Sequence, residues 1–443
     1  MFAQARARFF DQLREQRAAA VIPTHTAKVR SNDTEYRFRP HSDFWYLTGF
    51  GEPESTLVML PGLEPELPDR CVLYLRDRDV DMEIWHGRRL GVQAAPEALG
   101  VDEARDEGQL WNDLPSLLRG YSSIVWRGAE EPDRDRQFNT IVEGLRRGAR
   151  GRIPAPNRIL DPAGLLHELR LIKTAPELNA MRRAAAITAE AHTLAMQAAA
   201  PGTGEHEIDA LLEYTFRRRG GDGAAYTNIV AGGANACILH YVENNAPLVD
   251  GELLLIDAGA EFGHYACDVT RTFPVNGTFT ADQRDLYRAV LAAQAGAIEA
   301  AEPGVPFQTV HETALGLLVQ GMLDLGILEG TLEQALEAGS YRQFYMHGTS
   351  HWLGLDVHDC GSYSRPDGES RPLEPGMVLT IEPGLYIPPD ADVDPRWRGM
   401  GIRIEDDVLI TPEGQEVLTA AIPKTVDEVE SACAAGNGAM VRP

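Results

Sequence analysis

Two stretches of the chain share one layout. Gly251-Glu-Leu-Leu-Leu-Ile-Asp257 and Gly376-Met-Val-Leu-Thr-Ile-Glu382 each run from a glycine through five mostly apolar residues to a carboxylate. An unbroken apolar run predicts a strand covered on both faces, because a strand with one wet face alternates polar and apolar positions. Its recurrence predicts an internal repeat, in which two related halves each deliver an acid from the end of a buried strand. Helical signals lie before and between these strands. Thr174-Ala-Pro-Glu177 is a capping box with proline near the first turn, and it opens an alanine-rich helix to about Ala200. Thr280-Ala-Asp-Gln283 opens a second helix, predicted to run to Pro303. A third helical pattern from about Phe307 to Leu325 stops at Gly326.

The first third reads as a mixed α/β region. Met1 to Ala20 mixes arginines with Asp11 and Glu15 and predicts an amphipathic first helix. Short β-type runs at Cys71 to Leu75 and Ser123 to Trp126 alternate with polar, proline-bearing connections. From Arg150 to Pro162 the sequence RGRIPAPNRILDP holds three prolines and a glycine, which predicts a stretch without regular structure. The domain boundary is placed at its end, giving domains 1–172 and 173–443 of an α/β (α+β) chain. A length of 443 residues is ample for two such cores.

Charge narrows the partners. The formal net charge is −25, which disfavours nucleic acid and anionic membranes, since both are held through clustered cations. Lys28, Lys173 and Lys424 are the only lysines, and none stands in a phosphate-binding GKS or GKT loop. No apolar run approaches the ~18 residues of a bilayer-spanning helix. The five cysteines lie far apart without a C-x-x-C pair, so neither a disulfide framework nor a zinc knuckle is expected, and a reducing cytoplasm is.

The chemistry concentrates in acids. Asp257 at the end of a buried strand would leave a charge in a low-dielectric place, at a cost of several kcal/mol if unpaired. Asp268 follows in HYACDVTRTF, sharing a strand face with Thr270. The second half adds Glu382 and, in GIRIEDDVLI, Glu405, with Arg403 and Glu405 on one face and Ile402 and Ile404 on the other. A salt bridge explains any one of these acids, but Arg403 alone cannot neutralise four. Two divalent cations match them in charge, and carboxylates bridge metal ions in two-metal hydrolases. An oxygen-rich set with few imidazoles favours Mn²⁺, while Co²⁺, Fe²⁺ and Zn²⁺ stay open.

Of the 12 histidines, most carry no partner pattern. His206, His311 and His167 each precede glutamate but lack the second histidine of H-E-x-x-H, which excludes a zincin. His347, His351 and His358 cluster in HGTSHWLGLDVHD, where the glycines predict a loop, and His240 holds the comparable place in the first half. Ser350, His351 and Asp356 supply the residue types of a hydrolytic triad, yet no G-x-S-x-G elbow surrounds Ser350.

These residues resemble the metallopeptidases of the pita-bread fold and, within them, the bacterial Xaa-Pro aminopeptidases (aminopeptidase P), over nearly the whole chain. HSDFWYLTGF at 41–50, EIWHGRRLG at 83–91 and HWLGLDVHD at 351–359 carry the likeness. The resemblance implies a creatinase-like N-terminal domain before a pita-bread domain. It implies two divalent ions held by Asp257, Asp268, His351, Glu382 and Glu405, and a hydroxide shared by them as nucleophile. Glu382, His240, His358 and Arg403 would carry the reaction, and His240, His347, His358, Tyr386 and Trp85 would meet the substrate, a peptide with proline second. Trp85 would do so in a neighbouring subunit, which implies a homo-oligomer, dimer or tetramer. Prolidase, the Xaa-Pro dipeptidase, is the alternative sharing all five ligands. A binding module that has lost catalysis is disfavoured because every ligand position is filled.

Overall fold

The structure, a computed structural model, describes residues 1–129, 131–149 and 154–436. The chain divides into two compact units, Met1–Arg170 and Leu171–Pro443. The first is built on a six-stranded sheet ordered Glu103–Asp106, Arg70–Leu75, Thr56–Leu60, Ala18–Pro23, Ser123–Val125, Arg158–Leu160. Its apolar face, including Val21, Val58, Val72 and Ile124, packs on Leu110, Leu114, Phe138 and Val142 from two helices.

Two local expectations fail here, both because pairing overrides local pattern. The first helix ends at Gln16, with Arg17 in the left-handed region, and Ala18–Pro23 is a central strand bonded on both edges. In the proline-bearing stretch, residues 150–153 lie outside the described residues. Arg158–Leu160, predicted to be irregular, is an edge strand running parallel to Ser123–Val125. An edge position asks for bonds on one side only, which a proline-flanked segment can supply.

In the second unit each repeated strand belongs to its own three-stranded sheet, Leu253–Asp257 in the middle of one and Val378–Ile381 at the end of the other. Leu253–Asp257 lies between Ile229–Gly232 and Thr270–Pro274, antiparallel to both, with Asp257 opposite Thr270. Val378–Ile381 pairs antiparallel with Asp406–Thr411, Ile381 opposite Asp406, and Gly414–Val417 completes that sheet. Each half therefore brings one acid from the end of one strand and one from just ahead of that strand's antiparallel partner. The halves are joined where the Glu405 N–H donates to the Thr270 carbonyl at 3.1 Å.

Long helices cover the sheets. Ala175–Ala198 starts where the Glu177 carboxylate accepts from the Thr174 N–H at 2.8 Å, as the capping box predicts. Ala281–Ala300 starts with the reciprocal Thr280–Gln283 pair and ends short of Pro303. Phe307–Asp324 follows. Leu286, Val290, Leu318 and Met322 pack with Ile402 and Ile404 in the main core, which turns Arg403 and Glu405 the opposite way. Among the described residues, no helix is long and apolar enough to cross a membrane.

Candidate metal centre and active site

A cavity of about 500 Å³ opens in the second unit, a size suited to a small peptide. Its wall contains Asp257, Asp268, His351, Glu382, Glu405 and Arg403, with His240, His347 and His358. Nine of the eleven residues singled out in the sequence are thus brought together. Tyr386 is fully buried behind this wall, and its side chain holds the lining in place. Trp85 belongs to the first unit, on the short helix Val80–His86, and is 80% exposed.

Strand ends position the acids, and the loop 345–360 positions the imidazoles. The Thr380 N–H donates to the His351 carbonyl at 3.0 Å and the Glu382 N–H to the Thr349 carbonyl at 2.8 Å, so this loop lies along the strand that leads to Glu382. His351 Nε2 stands 3.3 Å from Asp268 Oδ2 and 3.7 Å from Glu382 Oε1, while its Nδ1 donates to the Trp352 carbonyl at 3.0 Å. His358 stacks on His351 with ring centroids 4.0 Å apart. Asp268, His351 and Glu405 each offer a ligand atom, all within 4.8 Å of one another.

Electrostatics favour a cation at this site. Burial, reinforced by the charges of Asp268, Glu382 and Asp257, holds the Glu405 carboxyl well above its ordinary ionisation range. Burial also raises Asp257, against the pull of Arg403, and pushes Glu382 up to about 7 despite His351 and Arg403. Asp268 is lowered, because the hydrogen bond and charge of His351 outweigh its burial. His351 is raised to about 9 in turn, as Asp268 and Glu382 outweigh burial. Buried carboxylates that crowd one another are the donor set that hard divalent ions satisfy, and binding would release the protons they hold. The residues therefore fit divalent metal ions.

Arg403 braces the set. Its guanidinium donates to Asp257 Oδ2 at 2.6 Å, Thr270 Oγ1 at 3.0 Å and the Tyr386 hydroxyl at 2.9 Å. His347 Nδ1 donates to the Gly348 carbonyl at 2.7 Å, which leaves Nε2 to accept from the Tyr386 hydroxyl at 2.8 Å. Burial and the Arg403 charge hold His347 down to about 4, so the ring is neutral.

One residue of the site went unread in the sequence, and a second was placed on a strand face without a role. The Tyr226 hydroxyl stands 2.6 Å from Asp257 Oδ1 and also contacts Asp268 Oδ1, one proton between two carboxylates. Thr270 Oγ1 donates to Glu405 Oε2 at 2.7 Å across the two halves. The strand period had placed Thr270 beside Asp268, which was a usable signal. The segment around Tyr226 offered none.

Fold and site together define a two-domain metallopeptidase. A model of metallopeptidase family M24 matches residues 179–412, and one of the aminopeptidase P N-terminal domain matches residues 2–126. The Xaa-Pro aminopeptidase of Escherichia coli (strain K12) is 44% identical over 414 residues, 94% of this chain and 93% of that protein. That of Haemophilus influenzae is 44% identical over 432 residues, 97% of this chain and 96% of that protein. Among solved structures, Pseudomonas aeruginosa aminopeptidase PepP superposes with a TM-score of 0.94 at 42% identity, covering 99% of this chain and 98% of that one. Zinc-substituted Escherichia coli aminopeptidase P in complex with product gives 0.93 at 44% identity, covering 99% of each. The chain belongs to metallopeptidase family M24, among its Xaa-Pro aminopeptidases.

Proposed function

We propose that the enzyme releases the first residue from peptides with proline second, using two divalent ions, Mn²⁺ favoured, held by Asp257, Asp268, His351, Glu382 and Glu405. The observation that carries this reading is the convergence of four carboxylates and one imidazole on a single peptide-sized cavity. When bound, such an ion pair polarises a carbonyl and makes a nucleophile of water near neutral pH.

The chain's own groups do the rest. Glu382, whose carboxylate stands on the cavity wall 3.7 Å from His351 Nε2, suits the transfer of a proton from water to the departing proline nitrogen. A prolyl amide has no N–H, so recognition by a strand-like ladder loses a donor and shape must serve instead. Ile229, Leu239, Val242 and Val357 give the cavity an apolar wall for a pyrrolidine ring. His240 and His358 stand exposed on its lining, where they can meet a substrate, and His347 and Arg403 are both bonded to Tyr386.

We extend the proposal to a homo-oligomer, dimer or tetramer, supported by the apolar surface of Val80, Ile84 and Trp85, each at least 70% exposed. A cytoplasmic setting is supported by five free cysteines. A division near residue 172 is supported by the two compact units and by the separate family matches. The deciding experiment compares metal-reconstituted enzyme on an Xaa-Pro-Xaa tripeptide and on the Xaa-Pro dipeptide. Cleavage of the tripeptide is expected; cleavage of the dipeptide alone would make the enzyme a prolidase, and cleavage of neither would end the reading.

A further inference from the structure

Glu205 is wholly buried, and it opens the helix Glu205–Arg218 beside the loop that carries His240. Its carboxylate accepts four hydrogen bonds from that loop. Oε1 accepts from the Gly232 N–H at 2.8 Å and from Asn235 Nδ2 at 3.0 Å. Oε2 accepts from the Tyr241 hydroxyl at 2.8 Å and from the Ala246 N–H at 2.9 Å. A buried carboxylate is costly unless its lone pairs are filled, and four donors fill the sites that two oxygens offer.

The four donors span the loop from end to end. Gly232 ends the strand Ile229–Gly232, Asn235 sits in the short helical turn Gly233–Cys237, Tyr241 follows His240, and Ala246 stands where the chain returns to the helix. The backbone fixes that return as well, since the Glu205 N–H donates to the Ala246 carbonyl at 2.9 Å. Asn244 ties the loop to the strand: its Nδ2 donates to the Asn228 carbonyl at 2.9 Å, and its Oδ1 accepts from the Val230 N–H at 2.9 Å. Between these anchors Leu239, His240 and Val242 line the cavity. His240 is exposed there, whereas Tyr241 is buried and seated on Glu205, so adjacent residues serve the cavity and the anchor.

We infer that Glu205 is a positioning residue for the substrate-binding wall, which acts through Tyr241 and the loop backbone to set His240 in the cavity. Glutamine at 205 keeps the size, but its amide nitrogen donates and cannot accept. On one side that nitrogen faces the Gly232 N–H and on the other the Ala246 N–H, so either orientation sets two donors against each other. The loop must shift to relieve this, and His240 shifts with it. The consequence for hydrolysis rests on the proposed role of His240.

The test uses full-length, metal-reconstituted Glu205→Gln and Tyr241→Phe, the second losing only the hydroxyl next to His240. The measurements are melting temperature, metal per chain, hydrogen exchange over residues 232–246, and kcat and KM on an Xaa-Pro-Xaa tripeptide at a temperature where circular dichroism shows both variants folded. Glu205→Gln is expected to keep the wild-type metal content and to exchange its loop amides ~10-fold faster or more, the ratio that loss of one hydrogen bond to a charged group gives. Its kcat/KM is expected to fall ~10-fold or more with KM raised, the scale of loss when a remote change misplaces reacting groups. Tyr241→Phe is expected to change in the same direction by about threefold or more, since three of the four bonds to Glu205 remain. If Glu205→Gln fails to fold, Tyr241→Phe carries the test. Kinetics within about twofold of wild type in each folded variant, with only the melting temperature lowered, would overturn the inference, as would activity lost in step with metal. Absence of tripeptide cleavage by the wild-type enzyme would instead overturn the proposed function, while exchange over residues 232–246 would still decide whether Glu205 anchors the loop.

Discussion

Replacing Tyr226 by phenylalanine removes one oxygen and keeps the ring. That hydroxyl is the donor shared by Asp257 Oδ1, at 2.6 Å, and Asp268 Oδ1. Its own proton is held firmly, because burial and the charges of Asp257 and Asp268 push its ionisation well above the ordinary phenol range. It therefore acts as a fixed donor and not as an acid. A hydrogen bond to a charged group contributes about 1.5–3 kcal/mol, and one proton serves one carboxylate at a time, so the loss is a single bond's worth. At about 1.4 kcal/mol per tenfold, that converts to roughly 10- to 100-fold in any equilibrium that needs both carboxylates ionised and aimed. The same range is typical when a group that orients metal ligands is deleted. Calorimetric titration of chelator-treated enzyme with Mn²⁺ should accordingly show affinity for the Tyr226→Phe variant weakened by ~10- to 100-fold. Tripeptide hydrolysis should fall in parallel at limiting metal. Wild-type affinity together with wild-type kcat/KM would refute the assignment of Tyr226 as the donor that aims these two acids.

Chelator dialysis should abolish hydrolysis and Mn²⁺ should restore it best; full activity in protein shown metal-free by elemental analysis would dismiss the metal centre. Glu382→Gln preserves size while deleting the proton acceptor, so kcat measured at verified metal occupancy should drop by ~10²-fold or more. A near-normal kcat would assign the proton to another group. Arg403→Lys keeps the charge but cannot reproduce three bonds diverging from one guanidinium to Asp257, Thr270 and Tyr386. Its turnover should fall ~10-fold with little change in secondary structure by circular dichroism. Unchanged turnover would leave Arg403 as no more than a counter-charge.

The chain by itself determined whatever depends on neighbours in sequence. Apolar runs ending in acid marked both acid-bearing strands, glycines marked the loop around His351, and cap residues marked where Ala175–Ala198 and Ala281–Ala300 begin. A pattern within a few residues suffices for these, because an apolar run is a demand for burial written in the strand itself and a helix cap is satisfied within its own first turn. Where a partner strand decided the matter, the local pattern misled: Ala18 to Ala20 reads as the end of a helix and Arg158–Leu160 as irregular, yet both lie in strands of one sheet. The tertiary structure alone supplied the bonds that tune the site. Tyr226 is 31 residues from Asp257 and 42 from Asp268, Thr270 is 135 from Glu405, and Glu205 is 36 from Tyr241. A buried polar group needs a partner of the right chemistry in its own direction, and the fold can draw that partner from any distance along the chain.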